Sequence, residues 1–205
     1  EINEKIQAIT EEMIAIRREL HQYPELGTEE LETQKRISAL LTKWGIEHKP
    51  CADTGIVGII RGGKPGNVVG IRADIDALPL QEDRSRDYCS KNDGVMHACG
   101  HDVHTTILLG LAKLCKDMGD ELPGTVKLFF QPAEETVGGG EILDPCPFKH
   151  RRNDHRAIEG MEIKRTGTPE QRKPCTHRCP LVIRIGEEVG ARGNVLRKKE
   201  GVDNI

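Results

Sequence analysis

The sequence predicts an α/β protein with a mixed or mainly parallel sheet. Amphipathic helical patterns alternate with short β-branched runs along residues 1–140, which is typical of a sheet covered by helices on both faces. The remaining residues, 141–205, lack this alternation and differ in charge. The first 140 residues carry 16 basic and 23 acidic side chains, whereas the last 65 carry 14 basic and 10 acidic ones.

Three helices are predicted in the first 140 residues. Isoleucine, methionine and leucine recur at steps of three and four over residues 2–20, which predicts a helix that ends near Tyr23-Pro24. A second helix is predicted over residues 29–44 and is stopped by Gly45. The apolar positions of residues 104–118 predict a third.

Three strands are predicted between these helices. Residues 55–61 and 67–73 are rich in β-branched side chains, and residues 124–131 (GTVKLFFQ) form a continuous apolar run typical of a buried strand. The intervening residues 62–66, Gly-Gly-Lys-Pro-Gly, have the composition of a hairpin turn.

Polar clusters lie where the predicted elements end or begin. They are Asp74 with Asp76, the group Cys99, His101, Asp102 and His104, and the pair Glu134-Glu135. Ligands of open α/β sheets bind at the carboxyl ends of the strands. Thiolate, imidazole and carboxylate together suit Zn²⁺ or Mn²⁺ better than Mg²⁺ or Ca²⁺. The sequence therefore predicts the site of a metal-dependent hydrolase.

Each cluster alone has a structural explanation. Aspartates after a strand often form turns, an isolated cysteine or histidine is more often a buried thiol or a surface imidazole, and two glutamates can complement a helix dipole. The coincidence of three clusters favours the metal site. A vicinal glutamate pair also divides two tasks, because one carboxylate can hold the metal while its neighbour exchanges protons.

Four ordered motifs carry a family resemblance. They are residues 17–27 (RRELHQYPELG), 72–79 (RADIDALP), 96–106 (MHACGHDVHTT) and 130–135 (FQPAEE). With these motifs the chain resembles the metal-dependent amidohydrolases related to aminoacylase, hippurate hydrolase and the auxin-conjugate (IAA-amino acid) hydrolases, within the zinc-carboxypeptidase-like exopeptidases. The resemblance implies hydrolysis of the amide bond of a small-molecule N-acyl amino acid.

The resemblance also implies roles for individual residues. Cys99, His101 and Glu135 look like ligands of a divalent ion, Mn²⁺ or Zn²⁺, and Glu134 looks like the general acid/base. Asp76 and Asp102 look like supporting catalytic carboxylates. His104 and Asp74 look like neighbours of the ligands rather than ligands themselves.

The resemblance ends at Gly139-Gly140. Members of this family have a further ligand in a Gly-Leu-His motif, a dimerisation domain and a last histidine, none of which is recognisable in residues 141–205. Residues 1–140 are therefore predicted to be a partial catalytic domain, and residues 141–205 a basic tail that is disordered or comes from a shifted reading frame. Little hydrolase activity is expected from the chain as written, and its oligomeric state is not predicted.

Two alternatives stay open. The chain is a catalytically inactive fragment that keeps the fold, or its tail is a zinc-binding module with a basic surface for nucleic acid. The tail module would use Cys146, His150, His155, Cys175, His177 and Cys179. Their spacing is irregular, which argues against it. One short strand is predicted at residues 182–185.

Composition excludes some functions and suggests a compartment. A net charge of −3 is too close to neutral for a dedicated polyanion binder, so nucleic acid is not an expected partner. The apolar runs are far shorter than the roughly 20 residues of a membrane span, and no leader precedes Glu1. Seven cysteines without regular spacing favour a reducing compartment, and a cytoplasmic location is predicted.

Overall fold

Five strands form one mixed sheet in the structure, a computed structural model that describes residues 2–137 and 182–184. The helices are α1 (Ile2–Gln22), α2 (Leu31–Lys43), α3 (His101–Met118) and the short α4 (Glu134–Val137), with a 3₁₀ turn at Gly119–Glu121. The strands are β1 (Glu47–Cys51), β2 (Gly55–Arg61), β3 (Lys64–Asp74), β4 (Pro123–Gln131) and β5 (Val182–Arg184). The predicted α/β class with a mixed sheet is confirmed.

The strand order is β1-β2-β4-β3-β5. β2 pairs antiparallel with both β1 and β4, whereas β3 runs parallel to β4 and to β5. Because β3 and β4 are parallel neighbours joined through α3, both strands end at the same edge of the sheet, where Asp74 is paired with Gln131. This edge also carries the start of α4.

The main hydrophobic core lies on one face of the sheet. Ile56 of β2, Ile71 of β3 and Leu128 of β4 point to this face, and residues of all three long helices belong to the same buried cluster. The other face carries a smaller buried cluster that includes Val57 and Phe129. Within the described residues the long helices therefore share one face, unlike the predicted covering of both.

The predicted hairpin turn at residues 62–66 is wrong. β2 and β3 do not pair with each other, because β4 lies between them, and Lys64 already belongs to β3. The glycines of this segment instead allow the backbone to pass close to a neighbouring segment. A Cβ on Gly62 would lie 1.9 Å from the carbonyl oxygen of Leu122, so no side chain fits where the chain passes the start of β4.

The other elements lie close to their predicted positions. The predicted strand at residues 55–61 coincides with β2, while α3 begins three residues earlier than predicted, at His101. β1 was not predicted, since its sequence, Glu-His-Lys-Pro-Cys, has no apolar alternation. A strand also lies within the predicted range 182–185. The other predictions for the tail, including its possible zinc site, concern residues outside the described ranges.

None of the helices in the described ranges has the length and apolar character needed to cross a membrane.

Because the main core lies on one face of the sheet, the two sides of α3 should differ in their sensitivity to substitution. Leu108 is fully buried, whereas its neighbour Ile107 is 50% exposed. We expect Leu108→Ala to lower the free energy of unfolding by about 2–5 kcal/mol, because it leaves a cavity in the main core. Ile107→Ala is the matched control and should change it much less. Urea unfolding of both variants measures the difference, and equal losses would contradict the assignment of the core face.

Candidate metal centre

A thiol, an imidazole and a carboxylate meet at the carboxyl edge of β3 and β4. The donor atoms of Cys99, His101 and Glu135 all lie within 4.8 Å of one another. Cys99 comes from the loop before α3, His101 is the first residue of α3, and Glu135 lies in α4. The structure thus brings together the three residues that the sequence predicts as metal ligands.

Asp76 fixes the orientation of the His101 ring. The Nδ1 atom of His101 lies 2.9 Å from the backbone oxygen of Asp76 and 3.1 Å from its Oδ1 atom. The Nε2 atom of His101 therefore faces the cluster, 3.7 Å from Oε1 of Glu135. Asp76 also accepts a hydrogen bond from the backbone N–H of Glu135 through Oδ2, at 3.0 Å. A single carboxylate thus orients two of the three donor residues.

The acidic surroundings shift the pKa values of the donors. Burial disfavours a charged His101, but the hydrogen bond to Asp76 and the negative charges of Asp74 and Asp76 outweigh it and raise the pKa of His101. A hydrogen bond to Glu135, together with burial and neighbouring carboxylates, raises the pKa of Cys99 to about 11. Without a cation, Cys99 is therefore a protonated thiol at neutral pH, and a bound divalent ion would have to displace its proton.

Asp74 and His104 form a pair beside these donors. The Nδ1 atom of His104 lies 2.7 Å from Oδ1 of Asp74, and the backbone oxygen of Asp74 accepts a hydrogen bond from Thr105 at 2.9 Å. The donor atoms of Asp74, His101 and His104 also lie within 4.8 Å of one another. This second set depends on the same Nε2 atom of His101, since Nδ1 is held by Asp76. The two sets therefore compete for one imidazole nitrogen.

Arg72 joins the ends of β3 and β4. Its guanidinium donates from Nε to Gln131 at 2.6 Å, lies 2.8 Å from Oε2 of Glu134 and lies 3.3 Å from Oδ2 of Asp74. Gln131 also donates to Oε2 of Glu134, at 2.8 Å. Glu134 is thus held at the edge of the site by two side chains from neighbouring strands, and its carboxylate is more exposed than that of Glu135.

Asp102 lies away from the three donors. Its Oδ2 atom is 2.8 Å from Nδ1 of His21 and 2.8 Å from Nε of Arg17, both on α1. The other ring nitrogen of His21 lies 2.9 Å from Oε1 of Glu82. The structure therefore places Asp102 in a buried charged network that ties the end of α1 to the start of α3.

No role was predicted from the sequence for Arg17, His21, Arg72 or Gln131, although all four lie in the motifs that carry the family resemblance. Arg72 could have been recognised from the sequence, because a charged residue inside an apolar strand needs a partner when it is buried. The indication in the sequence is weaker for His21, which comes directly after the last apolar residue of α1, at the buried end of the helix. Their partners are too distant in the sequence to be found from spacing.

The fold and the mixed donor set are those of a class of metallopeptidase-like hydrolases. The model of the peptidase family M20/M25/M40 matches residues 70–192 of the chain. The chain belongs to this family, and the predicted resemblance is confirmed. The matched range continues beyond Gly140, where the sequence analysis ended the resemblance, and the boundary between the two predicted domains stays a prediction.

Curated relatives include a deacetylase, an IAA-amino acid hydrolase and an amidohydrolase. The chain is 48% identical to the N-acetyl-L-cysteine deacetylase of Bacillus subtilis over 135 residues, which are 65% of this chain and 32% of that protein. It is 53% identical to the IAA-amino acid hydrolase ILR1-like 4 of Arabidopsis thaliana over 132 residues, or 64% and 30% of the two chains. The N-acyl-L-amino acid amidohydrolase of Geobacillus stearothermophilus shares 43% over 141 residues, or 68% and 38%. The chain spans about a third of the length of these relatives.

A solved structure shows the same fold. The Bacillus subtilis YXEP protein, a dinuclear metal-binding peptidase of family M20, superimposes with a TM-score of 0.64 at 45% identity. The match covers 67% of this chain and 39% of that chain.

The buried His97 makes the metal-free protein sensitive to acid. Burial, opposed in part by the charge of Asp102, lowers the pKa of His97 from 6.5 to about 4. The unfolded chain binds this proton below pH 6.5 and the folded chain does not, so stability falls as the pH drops from 6.5 towards 4. His97 should account for a loss of about 2 kcal/mol between pH 7 and pH 5.

Urea unfolding at the two pH values, with a chelator present, tests this for the wild type and His97→Gln. The variant should lose correspondingly less stability on acidification. The same pH dependence in both proteins would show that His97 does not titrate as its burial requires.

Proposed function

We propose that this protein hydrolyses the amide bond of N-acyl amino acids with a divalent ion held by Cys99, His101 and Glu135. The observation that carries the proposal is the meeting of these three donor types within 4.8 Å. The names of the relatives support the substrate class, because they include a deacetylase of N-acetyl-L-cysteine and an N-acyl-L-amino acid amidohydrolase.

The donors fit a Zn²⁺ or Mn²⁺ ion. Tetrahedral bonds of about 2.0–2.1 Å place nitrogen and oxygen ligands roughly 3.3 Å apart. The observed separation between Nε2 of His101 and Oε1 of Glu135 is 3.7 Å, which needs only a few tenths of an ångström of adjustment. His101 is also prepared for coordination, since a ligating histidine usually donates its other N–H to a carboxylate or carbonyl and Asp76 offers both.

The set with Cys99 and Glu135 is preferred over the set with Asp74 and His104. Oδ1 of Asp74 is already paired with His104, and Oδ2 lies near Arg72, so both oxygens have partners. The thiol of Cys99 instead donates a hydrogen bond to Glu135, and the thiol proton can be released on metal binding. Asp74 and His104 then act as neighbours that hold the shape and charge of the site.

We assign the proton transfers to Glu134. A divalent ion held by Cys99, His101 and Glu135 would supply Lewis acidity and would lower the pKa of water towards neutrality. Glu134 would accept a proton from the attacking water and return it to the leaving amine. The contacts of Glu134 with Arg72 and Gln131 use only Oε2, so they hold the carboxylate at the site by one oxygen.

The two supporting aspartates act at different distances from the reaction. Asp76 works directly on the donors, since it contacts both His101 and the backbone of Glu135. Asp102 works through the fold: it is the second residue of α3 and anchors the start of that helix to His21. Its proposed role is therefore to support the position of His101 rather than to touch the substrate.

Removing a donor should remove the metal. We expect Cys99→Ala and His101→Ala to lose bound Zn²⁺ or Mn²⁺ during dialysis, because two protein donors hold a divalent ion poorly. Cys89→Ala is the matched control, since Cys89 is also a free cysteine but is absent from both donor sets. Metal analysis after dialysis measures the effect, and equal metal content in all four proteins would refute the assignment.

The two neighbouring glutamates should differ in their effects. In a full-length protein in which the C-terminal half of a family member is restored, Glu134→Gln should keep its metal but lower the rate of hydrolysis of N-acetyl amino acids by about 10²–10⁴-fold, the usual size of a general acid/base contribution. Glu135→Gln should lose the metal in addition to the activity. Metal analysis and an assay of amine release on the same preparations separate the two roles. Near-normal turnover by Glu134→Gln would show that another group moves the proton.

A further inference from the structure

The turn that carries the glutamate pair has a conformation that needs external support. β4 ends at Gln131 and α4 begins at Glu134, and Ala133 between them has a φ of 54°. Residues other than glycine rarely adopt this left-handed conformation. Such a conformation persists where the surrounding structure holds it, often at functional sites.

Two carboxylates hold the backbone of this turn. Oδ2 of Asp76 accepts a hydrogen bond from the N–H of Glu135, as described above. The other carboxylate is that of Glu30, whose Oε1 atom accepts a hydrogen bond from the N–H of Ala133 at 2.8 Å. Glu30 is 103 residues away in the sequence and belongs to none of the donor clusters.

Glu30 occupies a position where a side chain usually caps a helix. It directly precedes α2 but makes no capping hydrogen bond. Glu25 does this work instead, since its carboxylate accepts hydrogen bonds from the N–H groups of Glu32 and Thr33 at 3.1 and 2.7 Å. The side chain of Glu30 is thereby free to turn inwards, where it is 0% exposed. Its second oxygen accepts a hydrogen bond from the Thr54 hydroxyl at 2.6 Å.

The loop that carries Glu30 also packs directly against the turn. A Cβ on Gly27 would lie 2.6 Å from Oγ1 of Thr136 and 3.1 Å from Cα of Ala133. The same loop holds the segment that follows Asp76, because the N–H of Ala77 donates to the backbone oxygen of Glu25 at 2.8 Å. One loop therefore contacts two of the segments that build the site.

We infer that Glu30 is a positioning residue for the glutamate pair: through the N–H of Ala133 it holds the turn so that Glu135 reaches Cys99 and His101. The inference deepens the proposed function and rests on its choice of Glu135 as a ligand. Supporting groups beyond the ligands of metal sites typically contribute about 10–100-fold to metal affinity. Glu30 is expected to act in this range although it lies outside the donor set.

Three variants separate positioning from general stability. Glu30→Met is unbranched and of similar length but cannot accept the hydrogen bond of Ala133. Glu30→Gln can present its oxygen to Ala133 and its amide group to Thr54, so it should rescue the turn. Thr54→Val removes the other partner of Glu30 and leaves the contact with Ala133 in place. All three are made in the full chain, and urea unfolding records their stability.

Two measurements follow each variant. The affinity for Zn²⁺ is measured by competition with a chromophoric chelator, and hydrogen exchange is measured at the amides of Ala133 and Glu135 without metal. We expect Glu30→Met to bind Zn²⁺ about 10–100-fold more weakly and to exchange both amides faster. Glu30→Gln and Thr54→Val should stay close to the wild type in both measurements, even if Thr54→Val is less stable.

Wild-type affinity and exchange in Glu30→Met would overturn the inference. Equal losses in Glu30→Met and Thr54→Val would also overturn it, since they would reflect stability alone. The proposed function fails in a different way, namely if Cys99→Ala binds Zn²⁺ as the wild type does. The exchange rates at Ala133 and Glu135 then still decide whether Glu30 holds the turn.

Discussion

The parallel pairing of β3 with β4 is the constraint on which the site depends. Because the two strands run in the same direction, Asp74 and Gln131 end side by side, and the segments that follow them start from one edge of the sheet. An antiparallel β4 of the same nine residues would put the glutamate pair at the opposite edge, about 30 Å away. The parallel connection requires a crossover, and α3 supplies it with His101 as its first residue.

The edge concentrates negative charge that the protein compensates only in part. Asp74 and Asp76 come from the end of β3 and the segment after it, and Glu134 and Glu135 come from α4. Arg72 neutralises the outer side through Asp74 and Glu134, and it does so from within the sheet. On the inner side, the negative charges of Glu135, Asp76 and Asp74 oppose the ionisation of Cys99. A divalent cation bound at the proposed site would relieve this repulsion, so its binding would be coupled to proton release and would weaken as the pH falls.

The sequence predicted those features that depend on neighbouring residues. The apolar periodicity located α1 and α3, donors at the ends of elements marked the three polar clusters, and the family resemblance selected Cys99, His101 and Glu135 among them. Position in the sequence alone could not separate Asp102 from its neighbour His101, although successive side chains of a helix point about 100° apart and these two reach different partners. It also could not find Glu30, because its partner Ala133 becomes a neighbour only after the sheet has formed. The hairpin turn at residues 62–66 was wrongly predicted for the same reason, because β4 lies between β2 and β3 only in the folded sheet.

Long-range contacts tie the first 30 residues to the candidate site. His21 holds the start of α3 through Asp102, the backbone of Glu25 holds Ala77, and Glu30 holds Ala133. Each segment of the candidate site is thus attached to α1 or to the loop that follows it. An ion that binds only when these segments are in place stabilises the docked arrangement by its binding free energy. The proposed metal site would therefore be thermodynamically coupled to the amino-terminal region, even though none of the three candidate donors lies in that region.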